Sequence, residues 1–112
     1  MKKICTDINQ SRILRDLGVN QATADFGYIG NEGPFLRSSA DIDDEMTPAW
    51  GLEALLSLLP PGTLFLSRYN RIMADFRGTA GHHDISLSTG ASETYLDAVF
   101  QIVTAAVREK YI

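Results

Sequence analysis

The residues of this 112-residue chain that are best suited to chemistry are its histidines, its cysteine and a run of acids. His82 and His83 are the only histidines, and Cys5 is the only cysteine. Adjacent side chains on a strand point to opposite faces, and no other His or Cys cluster supplies the remaining ligands of a zinc site. These two points disfavour a metal site. A small hydrolase or metal enzyme that uses His82 and His83 therefore ranks only third among our hypotheses.

The acidic run from Asp41 to Glu45 does not match a calcium loop. A loop of the EF-hand type needs glycine at its sixth position and glutamate at its twelfth, where this chain has Met46 and Leu52. Adjacent carboxylates without a pocket usually form a solvated turn. The sequence thus predicts no catalytic residue, no cofactor and no metal.

Residues 13–25 suggest a different chemistry, the reading of DNA bases. Their Leu-Gly-Val resembles the turn of helix-turn-helix proteins, which leads into a recognition helix. Three positions depart from that family's pattern of small and branched apolar residues: Leu14, Ala24 and Gly27. The candidates for contacting DNA are Arg15, Gln21 and Thr23. A DNA-binding regulator is our second hypothesis.

Composition and charge disfavour nucleic acids as partners. The net charge is −4 and the basic residues are dispersed, whereas nucleic-acid proteins normally carry a basic patch. No apolar run approaches the ~20 residues that span a bilayer, so no membrane contact is predicted. A lone cysteine is best tolerated in a reducing compartment, and we expect a cytoplasmic protein.

The first element that could position these groups is a helix. Asp7 and Gln10 are spaced as a capping box, which predicts a helix that ends near Leu17, where Gly18 favours a stop. Residues 19–46 show no sustained period, apart from a short helical possibility, and are predicted to be irregular.

The most apolar element is a helix predicted over residues 47–59. Thr47 can cap it, Pro48 fits its first turn and Pro60 stops it. Its apolar stripe comprises Ala49, Leu52, Leu55, Leu56 and Leu59. We predict that this stripe is core, whereas Trp50, near the exposed end of the helix, reaches a partner.

Three strands and a closing helix are predicted to follow. The strands are 63–69, 71–77 and 84–88, with 78–81 as a flexible link, and Thr89 or Ser92 caps a helix that ends near Lys110. The predicted fold is α+β: a three-stranded antiparallel meander packed by two helices, preceded by an N-terminal helix and an irregular segment (α-α-β-β-β-α). We interpret 1–112 as a single domain, in which 1–46 precede a core of 47–112.

The order α-β-β-β-α of residues 47–110 resembles that of double-stranded RNA-binding domains. Those domains place lysines at the start of the last helix, where they meet phosphates. This chain has Glu93 and Asp97 there and no basic residue, so RNA binding is not predicted.

Several segments together resemble one group of proteins: Pro48–Pro60, the hairpin after it, the closing helix, and Leu17-Gly18-Val19 with Thr23-Ala24-Asp25. The chain is similar to uncharacterised small proteins encoded in phages and mobile elements of anaerobic gut bacteria. That resemblance implies an element order and no activity. Our leading hypothesis is a non-enzymatic accessory protein of a phage or mobile element that acts through protein–protein contacts. Trp50 and Tyr95 are its candidate contact residues, and its wide apolar faces favour a homodimer.

Overall fold

A computed structural model describes residues 3–36 and 46–112 of the chain. These residues form an α+β fold with three helices and two three-stranded antiparallel sheets. The elements in chain order are α1 (Ile8–Asp16), β1 (Phe26–Ile29), β2 (Glu32–Leu36), β3 (Met46–Ala49), α2 (Leu52–Leu58), β4 (Gly62–Arg68), β5 (Ile72–Ala80), β6 (His83–Ser88) and α3 (Tyr95–Arg108). Within the described ranges, no helix is both long enough and apolar enough to cross a bilayer.

The first helix is confirmed, together with its capping box. The Gln10 N–H donates to the Asp7 carboxylate at 2.8 Å, and the Asp7 N–H donates to the Gln10 side chain at 3.1 Å. Leu17 closes α1, and Gly18 follows with a φ of +87°, which glycine adopts without strain.

The prediction of an irregular segment over 19–46 is wrong for most of its described part. β1, β2 and β3 form a small sheet in the order β2-β1-β3. Strands of four or five residues are too short to establish an alternation, and Gly27 and Gly33 interrupt the apolar pattern within β1 and β2. β3 also spans the boundary at residue 46 that the sequence suggested between the two parts of the domain. Residues Asp41–Glu45 lie outside the described part of the chain.

The second helix begins later than predicted, at Leu52 and not near Thr47. A residue before proline favours extended backbone, so Thr47-Pro48 continues a strand. Pro48 is tolerated there because β3 is at the edge of the sheet that the described residues form. Gly51 becomes the cap of α2, and its N–H donates to the Asp25 carboxylate at 2.7 Å.

The larger sheet has the order β4-β5-β6 and confirms the predicted three-stranded meander. The prediction of a flexible link over 78–81 is wrong, because β5 continues through Ala80. Gly78 pairs with Gly62, and a Cβ on either would lie within 3 Å of the Phe76 Cζ. Glycine is therefore needed at these positions for space.

The closing helix begins at Tyr95, capped by Thr94 and not by Thr89 or Ser92. Those two residues instead bond to β5. The Ala74 N–H donates to the Thr89 hydroxyl at 2.9 Å, and Ser92 exchanges main-chain hydrogen bonds with Ile72. These bonds keep the chain extended until Thr94.

α3 lies at the centre of the core. One side, with Ala98 and Ile102, packs on the sheet against Ile72, Ala74, Phe76 and Ile85. The other side, with Leu96, Val99 and Val103, packs against Leu14, Trp50 and Leu55. α3 contacts β5 and β6, while α2 contacts α3. This arrangement leaves the outer strand, β4, largely exposed.

Candidate functional site

An open groove of about 660 Å³ lies where the N-terminal segment, α2, β4 and the start of α3 meet. The residues that line it include Ile4, Leu52, Arg68, Ile72, Tyr95 and Leu96. Its floor is apolar, and Lys3, Arg68 and Glu93 supply charge. Grooves with apolar floors and a few polar groups are the usual binding sites of proteins.

Tyr95, one of the two predicted contact residues, lines this groove. It is the first residue of α3, and its side chain is 40% exposed. The Asp97 N–H donates to the Thr94 hydroxyl at 3.0 Å, which fixes the first turn of the helix next to Tyr95. An aromatic ring with a polar tip suits a contact surface.

The expectation that Trp50 lies at an exposed helix end is wrong. Its side chain is 0% exposed, and its indole N–H donates to the Thr23 hydroxyl at 2.9 Å. Its main chain exchanges hydrogen bonds with Thr6, from the Thr6 N–H to the Trp50 carbonyl and from the Trp50 N–H to the Thr6 hydroxyl. Because residues 46–49 are extended, Trp50 enters the core from the end of a strand.

β4 is a second surface next to the groove, and the sequence reasoning missed it. In the described part of the chain, it is an edge strand, and every residue of it except Leu64 is exposed. Phe65 is 55% exposed on one face and Leu66 is 43% exposed on the other. Three consecutive apolar residues in a strand indicate two apolar faces, a signal that the sequence does contain.

The hydrogen bonds at both ends of β4 show which main-chain groups are available at its free edge. The Thr79 N–H donates to the Pro61 carbonyl, and the Tyr69 N–H donates to the Arg71 carbonyl, both at 3.1 Å. In an antiparallel ladder the bonded pairs alternate, so the odd-numbered residues of β4 bond to β5. The N–H and C=O groups of Gly62, Leu64, Leu66 and Arg68 therefore point away from the sheet.

Hydrogen bonds to one carboxylate, that of Asp97, connect the N-terminal segment to the start of α3. Asp97 accepts hydrogen bonds from Lys3 at 2.7 Å, and from Gln10 and Thr94 at 2.8 Å each. Burial raises the pKa of Asp97, but these donors outweigh it and hold the pKa below its ordinary value. These hydrogen bonds hold Lys3 and Ile4 beside the groove.

The structure does not place the candidate DNA contacts on a recognition helix. Gln21 and Thr23 lie in a single 3₁₀ turn that leads directly towards β1. The Thr23 hydroxyl donates to the Asn20 carbonyl at 2.5 Å and accepts from Trp50. Arg15 lies on α1, with its guanidinium 3.4 Å from the Asp16 carboxylate. A DNA-contacting role for these residues stays a prediction.

The histidines and the cysteine lie in different parts of the fold. His82 lies in the turn between β5 and β6, His83 begins β6, and both are exposed. Cys5 is buried with Tyr28 and Ala49, and this burial raises the pKa of its thiol. In the part of the chain that the structure describes, no group of three His, Cys, Asp or Glu could hold a metal ion. The acids at 41–45 lie outside that part.

Comparison with protein-family models, with curated proteins and with solved structures gives no match to this chain. Because no similar protein suggests a function, a proposed function depends on two structural features, the groove and the free edge of β4.

Proposed function

We propose that this protein is a non-enzymatic binding module that takes up an extended protein segment along the free edge of β4. We further propose, from the resemblance stated above, that it serves a phage or mobile element as an accessory protein. The observation that carries the proposal is the exposure of β4, which among the described residues pairs with β5 alone and has exposed apolar side chains on both faces.

Natural sheets usually protect their edges with charges, prolines or bulges. β4 pairs with β5 without a bulge from Gly62 to Arg68, and its one charged residue, Arg68, stands at its end. The opposite edge strand, β6, exposes polar side chains: His83, Asp84, Ser86 and Ser88. The contrast indicates that β4 is the edge that receives a partner.

An added strand would use the main chain of β4 for affinity and its side chains for specificity. Leu66 is available on the inner face, next to the half-buried Leu64, and Phe65 is available on the outer face. The groove begins where β4 ends, at Arg68, and extends to Tyr95. A segment that continues past the strand would place an apolar side chain there.

Site-specific photo-crosslinking in cells that carry the gene naturally tests this proposal. A benzophenone amino acid at Phe65 should form a discrete protein adduct, because this side chain lies next to the added strand. The same group at Ser86, which is exposed on β6, is the matched control and should form none. Leu66→Lys should abolish the adduct at position 65. Equal adducts at both positions, or an adduct insensitive to Leu66→Lys, would contradict the proposal.

A further inference from the structure

We infer that the segment that binds the free edge of β4 is β4 of a second copy of this chain. The two strands pair antiparallel about a two-fold axis normal to the sheet, which joins two three-stranded sheets into one of six strands. The inference rests on the proposed function and names its partner.

One register makes β4 complementary to itself. When Phe65 faces Phe65 of the second copy, Leu64 faces Leu66 and Thr63 faces Ser67. Each aromatic, aliphatic or hydroxyl side chain is thus opposite a side chain of the same type. Such cross-strand pairs stabilise sheets. Arg68 faces Gly62 of the second copy, so no like charges are opposed.

The main chain fits the same register. Leu64 and Leu66, with Gly62 and Arg68, direct their N–H and C=O groups to the free edge. They form the hydrogen-bonded pairs of the new ladder, each exchanging two bonds. Phe65 and its equivalent then form a non-hydrogen-bonded pair, in which the side chains lie closer together.

Neighbouring registers are poorer. A pairing centred on Leu66 places Leu64 opposite Arg68 of the second copy. A pairing centred on Leu64 places Phe65 opposite Thr63 and leaves Ser67 and Arg68 without a partner strand. Only the pairing centred on Phe65 matches the whole length of β4.

The described edges of the smaller sheet are less suitable for such pairing. β2 exposes Phe35 and Leu36, but its Pro34 has no N–H to donate to a neighbouring strand. β3 contains Pro48 and is only four residues long. β4, with seven residues and no proline, offers the more complete ladder.

A charge-swap experiment on purified protein tests both the partner and the register. In sedimentation velocity, the wild-type mass should rise with concentration from 12.3 kDa towards twice that value. Phe65→Lys and Phe65→Glu should each weaken dimerisation by about tenfold or more, because like charges then face each other across the axis. An equimolar mixture of the two variants should restore dimers.

Thr79→Lys is the matched control, since Thr79 is exposed on β5, on the same face as Phe65. It should leave dimerisation unchanged. A wild-type protein that stays at 12.3 kDa, or variants that do not recover on mixing, would overturn the inference. The proposed function is judged separately: an adduct at position 65 with a different protein would support it alone, and the absence of any adduct would remove both.

Discussion

The carboxylate of Asp97 connects three separate parts of the fold. Its three donors come from the N-terminal segment, α1 and the cap of α3. Because these bonds favour the ionised form, they lower its pKa despite partial burial. The sequence placed Asp97 at the start of a helix, but its partners at Lys3 and Gln10 are distant in the chain and could not be predicted from local patterns.

The lowered pKa of Asp97 predicts a pH-dependent stability. The stabilisation is complete above the pKa that this group has in the unfolded chain, and it is lost as pH falls through the folded value. Asp97→Asn should therefore destabilise the protein more at about pH 7 than at about pH 3, as measured by urea unfolding. Asp16→Asn, on an exposed residue, is the control. An equal effect of Asp97→Asn at both pH values would contradict this role.

The elements that were predicted correctly are those whose signals are local. The capping box of Asp7 and Gln10 specifies the start of α1, and the alternation of Ile72, Ala74 and Phe76 specifies β5. The small sheet was missed because its strands become stable only through pairing, as in the pair Phe26 and Ala49. The position of β4 at a sheet edge likewise depends on pairing order, which periodicity does not contain.

The tail of β5 gives a prediction at the scale of an element. Gly78→Ala should destabilise the protein by about 1–3 kcal/mol, because the new Cβ would press on the Pro61 carbonyl and the Phe76 ring. Gly90→Ala is the control, since its Cβ would meet no atom within 4 Å. Thermal unfolding of both variants measures the difference. Equal melting temperatures would show that the strand shifts to accept the methyl group.

At the scale of the whole molecule, the two larger core clusters share α3. Leu96, Val99 and Val103 belong to one cluster, and Ala98 and Ile102 belong to the other. The N-terminal segment is fastened to this assembly through Thr6 to Trp50 and through Lys3 to Asp97. We therefore expect the segment to unfold together with the core.

Cys5 reports on this cooperativity, because it lies in that segment and is only 3% exposed. The dependence of its labelling by a thiol reagent on urea concentration should match that of global unfolding, since a buried thiol reacts only after opening. A Ser86→Cys variant supplies an exposed thiol on β6 that should react at once. Rapid labelling of Cys5 under native conditions would show that the segment opens by itself.

The bond between Lys3 and Asp97 joins residues 94 positions apart, and Leu14 of α1 lies in one core cluster with Leu96, Val99 and Val103 of α3. During synthesis Lys3 and Leu14 leave the ribosome well before these partners in α3 are translated. The meander of β4, β5 and β6 pairs only nearby residues and can form while the chain is still attached. The nascent protein therefore completes the contacts of Lys3 and Leu14 with α3 only after α3 emerges.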